Sequence, residues 1–448
     1  MSTEAIAAAP PGEAIPRLGV RGVVHAWWPL AASWLLMGLE LPAISAAMAR
    51  LPDPERSLAA YGGVVFPIAL IIESPIIMLL AASTALSRDA ASYRVGRRVM
   101  WTLGLTFTTL HGLVAFSPLF DLLARRVIAV PESIVEPARL GLRIMLPWTV
   151  SIAFRRFHQG VLIRFGHPRA VSAGTILRLT ANVAVLAMAL TLRRWPGIVA
   201  GTAAVAAGVV TEALYTAWRV RPVLRGGVAS APRVTPPLDT AKFMKFYLPL
   251  LVTPLFTFLA MPLASGAMSR LPRALDSLAT WPVINGFVFA LRSSGFAFNE
   301  VVVSLLDRPA GAAALRRFAG LLAATTSGAL LLLAITPLGG LWFARVSALA
   351  PSLAALGAAG LWLGLPMPAL AVLQSLHQGA LVHAHRTRGV TESVVLMLVV
   401  AAVVMTAGGA IFRGSPGLWI ALAGLTAGNA AQWAWLARRA HQIPGTSR

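Results

Sequence analysis

Four arginines interrupt otherwise apolar stretches of the chain: Arg155 and Arg156 side by side, Arg178, and Arg292. A guanidinium stays charged at physiological pH and presents a planar fork of donors suited to carboxylate or phosphate oxygens. At mid-bilayer an ionisable side chain costs roughly 2.5–3.5 kcal/mol on insertion scales, so each one is a candidate site residue. Arg292 lies deep, with Asn285 two turns earlier on the same helix. Arg155 and Arg156 stand nearer a helix end, where snorkelling to the interface is the competing reading. Neighbours on a helix point about 100° apart, so at most one of that pair can face a cavity squarely. A cavity lined by Arg292 and either Arg155 or Arg156 would attract an anion. A structural ion pair is the alternative for Arg292.

Carboxylates in comparable positions are Glu40 and Glu73, with Glu300 at a helix end and expected at the interface. A buried glutamate can carry a proton or ion through a transport cycle, so Glu73 and Glu40 are the coupling candidates. Glu73 could equally neutralise Arg292. His158-Gln159-Gly160 and His377-Gln378-Gly379 form two matching polar triplets. They read as a gate, or as structural histidines beside glycines that permit close helix contact; the structural reading is favoured. The chain has no cysteine, which excludes disulfides and thiolate metal sites. No Walker A loop, HExxH zinc motif or GxSxG elbow occurs. No catalytic residue, metal site or cofactor is expected, and uphill transport would draw on an ion gradient or the membrane potential.

The elements that must hold these residues are membrane-spanning helices. The 448 residues are 57% hydrophobic and only 12% charged, about half the charged share of a soluble domain. Spanning takes about 20 mostly apolar residues. Twelve stretches satisfy this, from roughly 24–49 and 58–87, through 140–165 and 277–306, to 416–437. The expected fold class is therefore an all-α polytopic membrane protein, with kinks expected at prolines such as Pro42, Pro75, Pro147, Pro262 and Pro282. The net charge is +22, but the basic residues lie in short inter-helix loops rather than one patch, which argues against nucleic-acid binding. Their excess falls on one side when both termini are placed in the cytoplasm, as the positive-inside rule requires. Residues 1–22 and 441–448 read as cytoplasmic tails, and the Pro- and Gly-containing segment 220–241 as a cytoplasmic linker. An aromatic belt at the membrane surfaces accounts for most of the tryptophans.

The chain repeats itself. Ser45–Pro52 matches Ser265–Pro272 at an offset of 220 residues, as do Pro29-Leu30 with Pro249-Leu250 and Ser57-Leu58-Ala59 with Ser277-Leu278-Ala279. The two His-Gln-Gly triplets match at an offset of 219. Two lobes follow, 23–219 and 242–440, of six helices each and inserted in the same orientation. Such lobes can rock about a shared cavity, which makes a transporter the expectation ahead of a channel.

This layout resembles the multidrug and toxin extrusion and oligosaccharide-lipid flippase superfamily. Within it the chain is similar to the progressive ankylosis protein family, through Trp27-Trp28-Pro29-Leu30, Leu58-Ala59-Ala60-Tyr61-Gly62, Ala279-Thr280-Trp281-Pro282-Val283 and Pro366-Met367-Pro368 followed by His377 and Gly379. The resemblance implies export of small anions of the pyrophosphate, nucleotide or polycarboxylate class. The sequence expectation is thus a secondary transporter of the inner membrane, a monomer whose partners are a small anionic substrate and membrane lipid. Rival readings are a lipid-linked saccharide flippase, a cation–drug antiporter, and a non-transporting membrane scaffold, in which the buried charges would scatter.

Overall fold

The computed structural model describes residues 17–442, and every regular element among them is helical. Ten helices are long and apolar enough to cross a membrane: α1 (Val20–Met48), α2 (Pro54–Leu86), α3 (Ala90–Phe116), α5 (Pro168–Leu192), α6 (Gly197–Val228), α7 (Thr240–Ser269), α8 (Ala274–Leu305), α9 (Gly311–Ile335), α10 (Pro351–His383) and α11 (Arg388–Ile411). The remaining two expected spans are also helical but more polar. In α4 (Leu146–Arg164), Arg155, Arg156, His158, Gln159 and Arg164 interrupt the apolar run. In α12 (Gly417–His441), Asn429, Gln432, Arg438 and Arg439 do so. The chain is a polytopic all-α membrane protein.

Proline shapes these helices unevenly. The helical segments are interrupted at Leu39, three residues before Pro42, at Met78, three after Pro75, and at Met145, two before Pro147. A ring nitrogen has no proton to donate and its ring crowds the preceding turn. By contrast α7 runs unbroken through Pro249, Pro254 and Pro262, and α8 through Pro282. At Pro75 the lost donor is replaced: the Ser74 hydroxyl donates to the Ile71 carbonyl at 2.8 Å. The Pro75 carbonyl accepts from the Tyr247 hydroxyl of α7.

The repeat is visible in local geometry. Asp53 and Arg273, equivalent at the offset of 220, both take left-handed backbone angles, φ 54° and 57°. Gly197 N donates to Pro52 O at 3.0 Å and Gly417 N to Pro272 O at 3.2 Å. Unrelated segments would not reproduce these paired details.

By packing, the chain forms two compact units: one holds residues up to Ala46 together with Leu271 onward, the other holds Ala47–Arg270. This grouping differs from the chain-order lobes 23–219 and 242–440. The first helix of each half packs within the unit made mainly of the other half. In the first unit α1 lies on α8, where Trp27 Nε1 donates to Ser294 O at 2.9 Å. A Cβ at Gly38 would sit 3.0 Å from the Ala290 backbone, so the contact needs that glycine. In the second unit α7 lies on α2, with Phe243 and Tyr247 fully buried. The linker is shorter than 220–241, because α6 continues through Val228 and carries Arg219, Arg221 and Arg225 on its last turns. The expected tails lie largely outside the described residues.

Candidate functional site

In the second unit one turn of α4 presents Arg155, Arg156 and Gln159. Opposite them α6 supplies Glu212, whose side chain is wholly buried. Arg155 Nη1 lies 3.0 Å from Glu212 Oε2, Arg178 Nε of α5 lies 3.4 Å from the same oxygen, and Gln159 Nε2 donates to Oε1 at 2.8 Å. Three helices are thus pinned by one carboxylate. Gly208 makes the α5–α6 approach close enough: a Cβ there would collide with the Asn182 side chain and lie 2.9 Å from Arg178 O. Buried charges of this kind persist only when paired and hydrogen-bonded.

Glu73 of α2 is buried as well, 3% exposed, and the charges acting on it are those of Arg156, Arg155 and Arg178. It makes no hydrogen bond or ion pair among the described residues. Arg156 has a buried Nε with no hydrogen-bond partner among the described residues. The cluster therefore holds three guanidiniums against two carboxylates. Arg156 and Glu73 make no hydrogen bond or ion pair among the described residues, but their charges act on each other.

The repeat did not copy this cluster. Counting on by 219 or 220, the positions of Arg155, Arg156, Arg178, Glu73 and Glu212 fall on Gln374, Ser375, Met397, Ser293 and Gln432. All are neutral. The first unit instead has Arg292 on α8. Its Nη2 donates to Asn429 Oδ1 of α12 at 3.0 Å, and Gln374 Nε2 donates to Asn429 O at 2.8 Å. The guanidinium stands over the Phe296 ring, 5.5 Å from its centroid, and its Nε is buried without a partner. No carboxylate pairs with Arg292 among the described residues, so the ion-pair reading of this residue does not hold. Asn285, seven residues before it, shares its helix face.

The other sequence candidates fall into place individually. Glu40 opens the second segment of α1, partly buried, just after the break at Leu39. Glu300 is exposed at the end of α8. The two histidines are tied to their own helices: His158 Nδ1 donates to Phe154 O at 2.9 Å and His377 Nδ1 to Leu373 O at 2.7 Å. His158 Nε2 lies 3.2 Å from the Tyr93 hydroxyl, so both ring nitrogens are occupied. Snorkelling does not describe Arg155, whose head is 8% exposed and paired inward. Sequence reading overlooked Glu212. Its signal was there, as the one carboxylate in the 27 residues Gly197–Val223. No group of three or more His, Asp or Glu capable of holding a metal occurs among the described residues.

Neither a protein-family model nor a curated relative matches the chain. Solved structures do. An inward-facing multidrug resistance MATE family transporter of the MOP superfamily superposes with a TM-score of 0.70 at 14% identity, over 94% of this chain and 99% of that one. The lipid II flippase MurJ, inward closed, gives 0.71 at 12% identity, over 93% and 88%. A MOP superfamily transporter from Pyrococcus furiosus, with a binding pocket of reverse polarity that suggests a different function, gives 0.60 at 17% identity, over 95% and 97%. The chain has the fold of this transporter class.

Proposed function

We propose that the protein is a secondary transporter that exports small organic or phosphate anions by alternating access of its two lobes, in the inner membrane. The observation that carries this reading is the excess of buried guanidinium. Among the described residues no carboxylate lies within ion-pair distance of Arg156 or Arg292, yet each stands inside an expected span. A cation–drug antiporter calls for an acidic or aromatic cavity, and a scaffold gives no reason to keep unpaired charge buried. The fold shared with MATE-type transporters supports alternating access, and the segments similar to the progressive ankylosis family support anions of the pyrophosphate, nucleotide or polycarboxylate class. Arg292, with Asn285, and Arg156, backed by Arg155, form the substrate-binding set. Glu73 and Glu40 serve coupling, with Glu73 able to replace the anion as counter-charge to Arg156.

A lipid-linked saccharide flippase is the second reading, favoured by the likeness to the lipid II flippase, whose fold the chain shares. The test is uptake into proteoliposomes of labelled pyrophosphate and citrate beside a cationic dye. Anion flux should appear without dye flux. In Arg292→Ala it should fall by about tenfold or more, since a hydrogen bond to a charged group is worth about 1.5–3 kcal/mol. Glu73→Gln should retain anion exchange while losing gradient-driven accumulation. Dye flux without anion flux overturns the proposal, and flux of neither directs the assay to lipid-linked saccharide.

A further inference from the structure

We propose a second anion site, separate from the buried arginines, where α10, α11 and α12 meet at the end that carries the basic loops. A cavity of about 400 Å³ opens there, lined by Arg386, Arg388, Gly389, Glu392, Arg439 and Gln442. Its one apolar lining residue is Leu381, which belongs to a small buried cluster with Val390, Leu436 and Ala440. Its wall is built. Glu392 Oε2 accepts from Arg439 Nε at 3.1 Å and Nη2 at 2.5 Å, and from Trp435 Nε1 at 3.3 Å. Arg439 also lies over the Trp435 ring, 5.1 Å from its centroid. Glu392 and Trp435 thus hold the Arg439 guanidinium in place before any ligand arrives.

Two further guanidiniums are each held by one long contact. Arg388 lies 3.3 Å from Glu392 Oε1, but its side chain is 93% exposed. Arg386 makes a single 3.3 Å bond to Gln442 O at the end of α12. Three guanidiniums therefore converge against one carboxylate, at the start of α11, whose helix end adds a partial positive charge. The matching face of the other half lacks the arrangement. Arg388 and Arg439 fall on Arg169 and Arg219, but Arg386 falls on His167 and Glu392 on Ala173, so the repeat copies only part of the set.

The chemistry that fits is a phosphate ester: oxygens for Arg386 and Arg388, with apolar atoms toward Leu381. Basic pockets between helices at the cytoplasmic surface hold anionic lipid headgroups in this way. A phosphorylated solute offers the same group, and the experiment separates the two sources.

Native mass spectrometry of the purified full chain is run with phosphatidylglycerol, with phosphatidylcholine, and with inorganic pyrophosphate. Wild type should retain phosphatidylglycerol over phosphatidylcholine. The pair Arg386→Ala and Arg388→Ala should weaken that retention by about thirtyfold, whereas Arg219→Ala, at the position equivalent to Arg439, should leave it unchanged. Retention of pyrophosphate lost in the same pair, without lipid selectivity, supports the site with a soluble ligand. Glu392→Gln removes the negative charge and should raise retention, a gain that misfolding cannot mimic. Equal retention by wild type and the double variant, for lipid and pyrophosphate alike, overturns the proposal.

Discussion

Single residues in this chain divide by whether their charge is answered. Glu212 lies within ion-pair distance of Arg155 and Arg178 and accepts from Gln159, and it works as a fastener. Removing one partner of a buried pair leaves the others uncompensated, at a cost of about 3–5 kcal/mol. Glu212→Ala should therefore lower the thermal unfolding midpoint sharply in detergent. Glu73, with no bond to lose, should tolerate Glu73→Gln with little change in the midpoint. The reverse ranking would make Glu73 the fastener and Glu212 the mobile group. Arg292 follows the same logic: no carboxylate pairs with it among the described residues, whereas the Arg156 charge faces the buried Glu73.

At the scale of elements, close approach decides which side chains meet. Gly160 of α4 lies against the break in α2. A Cβ there would run into Ser83 and come within 2.9 Å of the Thr84 backbone nitrogen. Gly160→Ala should cost about 1–3 kcal/mol through overpacking and shift Arg155 away from its pairing, read as a lower unfolding midpoint. Gly328→Ala, where nothing lies within 4 Å, is the matched control and should be near neutral. The linker has its own anchor. Asp89 caps α3 through Ser92 N at 2.8 Å and also accepts from Val234 N at 3.0 Å. Burial pushes the Asp89 carboxyl up, but the Ser92 and Val234 hydrogen bonds and the Arg94 charge outweigh it and hold it below the usual 3.8. A carboxylate with a depressed folded pKa stabilises fully above its unfolded value and loses that contribution as pH falls through the folded one. Hydrogen exchange at Val234 should accordingly show equal protection at pH 7 and pH 5, with loss only below 3.8. Asp89→Ala should abolish the protection at every pH; persistence would locate the anchor elsewhere.

For the whole molecule, orientation is the open physical quantity, and the cysteine-free chain makes it simple to measure. Gly226 in the last turn of α6 and Gly414 between α11 and α12 are exposed, with free space where a side chain would go. With the basic loops in the cytoplasm, Gly414→Cys should react with a membrane-impermeant maleimide on intact cells. Gly226→Cys should react only after permeabilisation. The opposite pattern would invert the topology and place the second anion cavity outside. The charged cluster in one half and its neutral copy in the other make the two halves unlike in buried charge, although local details of their backbones repeat.

The membrane class, the helices and the twofold repeat were legible in the sequence because they depend on local composition and chain order. An apolar run of sufficient length has no other stable solution, and an aligned match such as Ser45–Pro52 with Ser265–Pro272 survives in any environment. The candidate list was legible for the same reason, since a guanidinium in an apolar run announces itself. Partnership was not. That Arg155 is spoken for by Glu212 while Arg156 beside it is not depends on which face of α4 meets α6, and on Gly208 admitting α5. Likewise the exchange of the first helices between the halves, and the cavity behind Arg386, arise from contacts between segments far apart in the chain. Helix periodicity fixes a face, but only tertiary packing decides what that face meets.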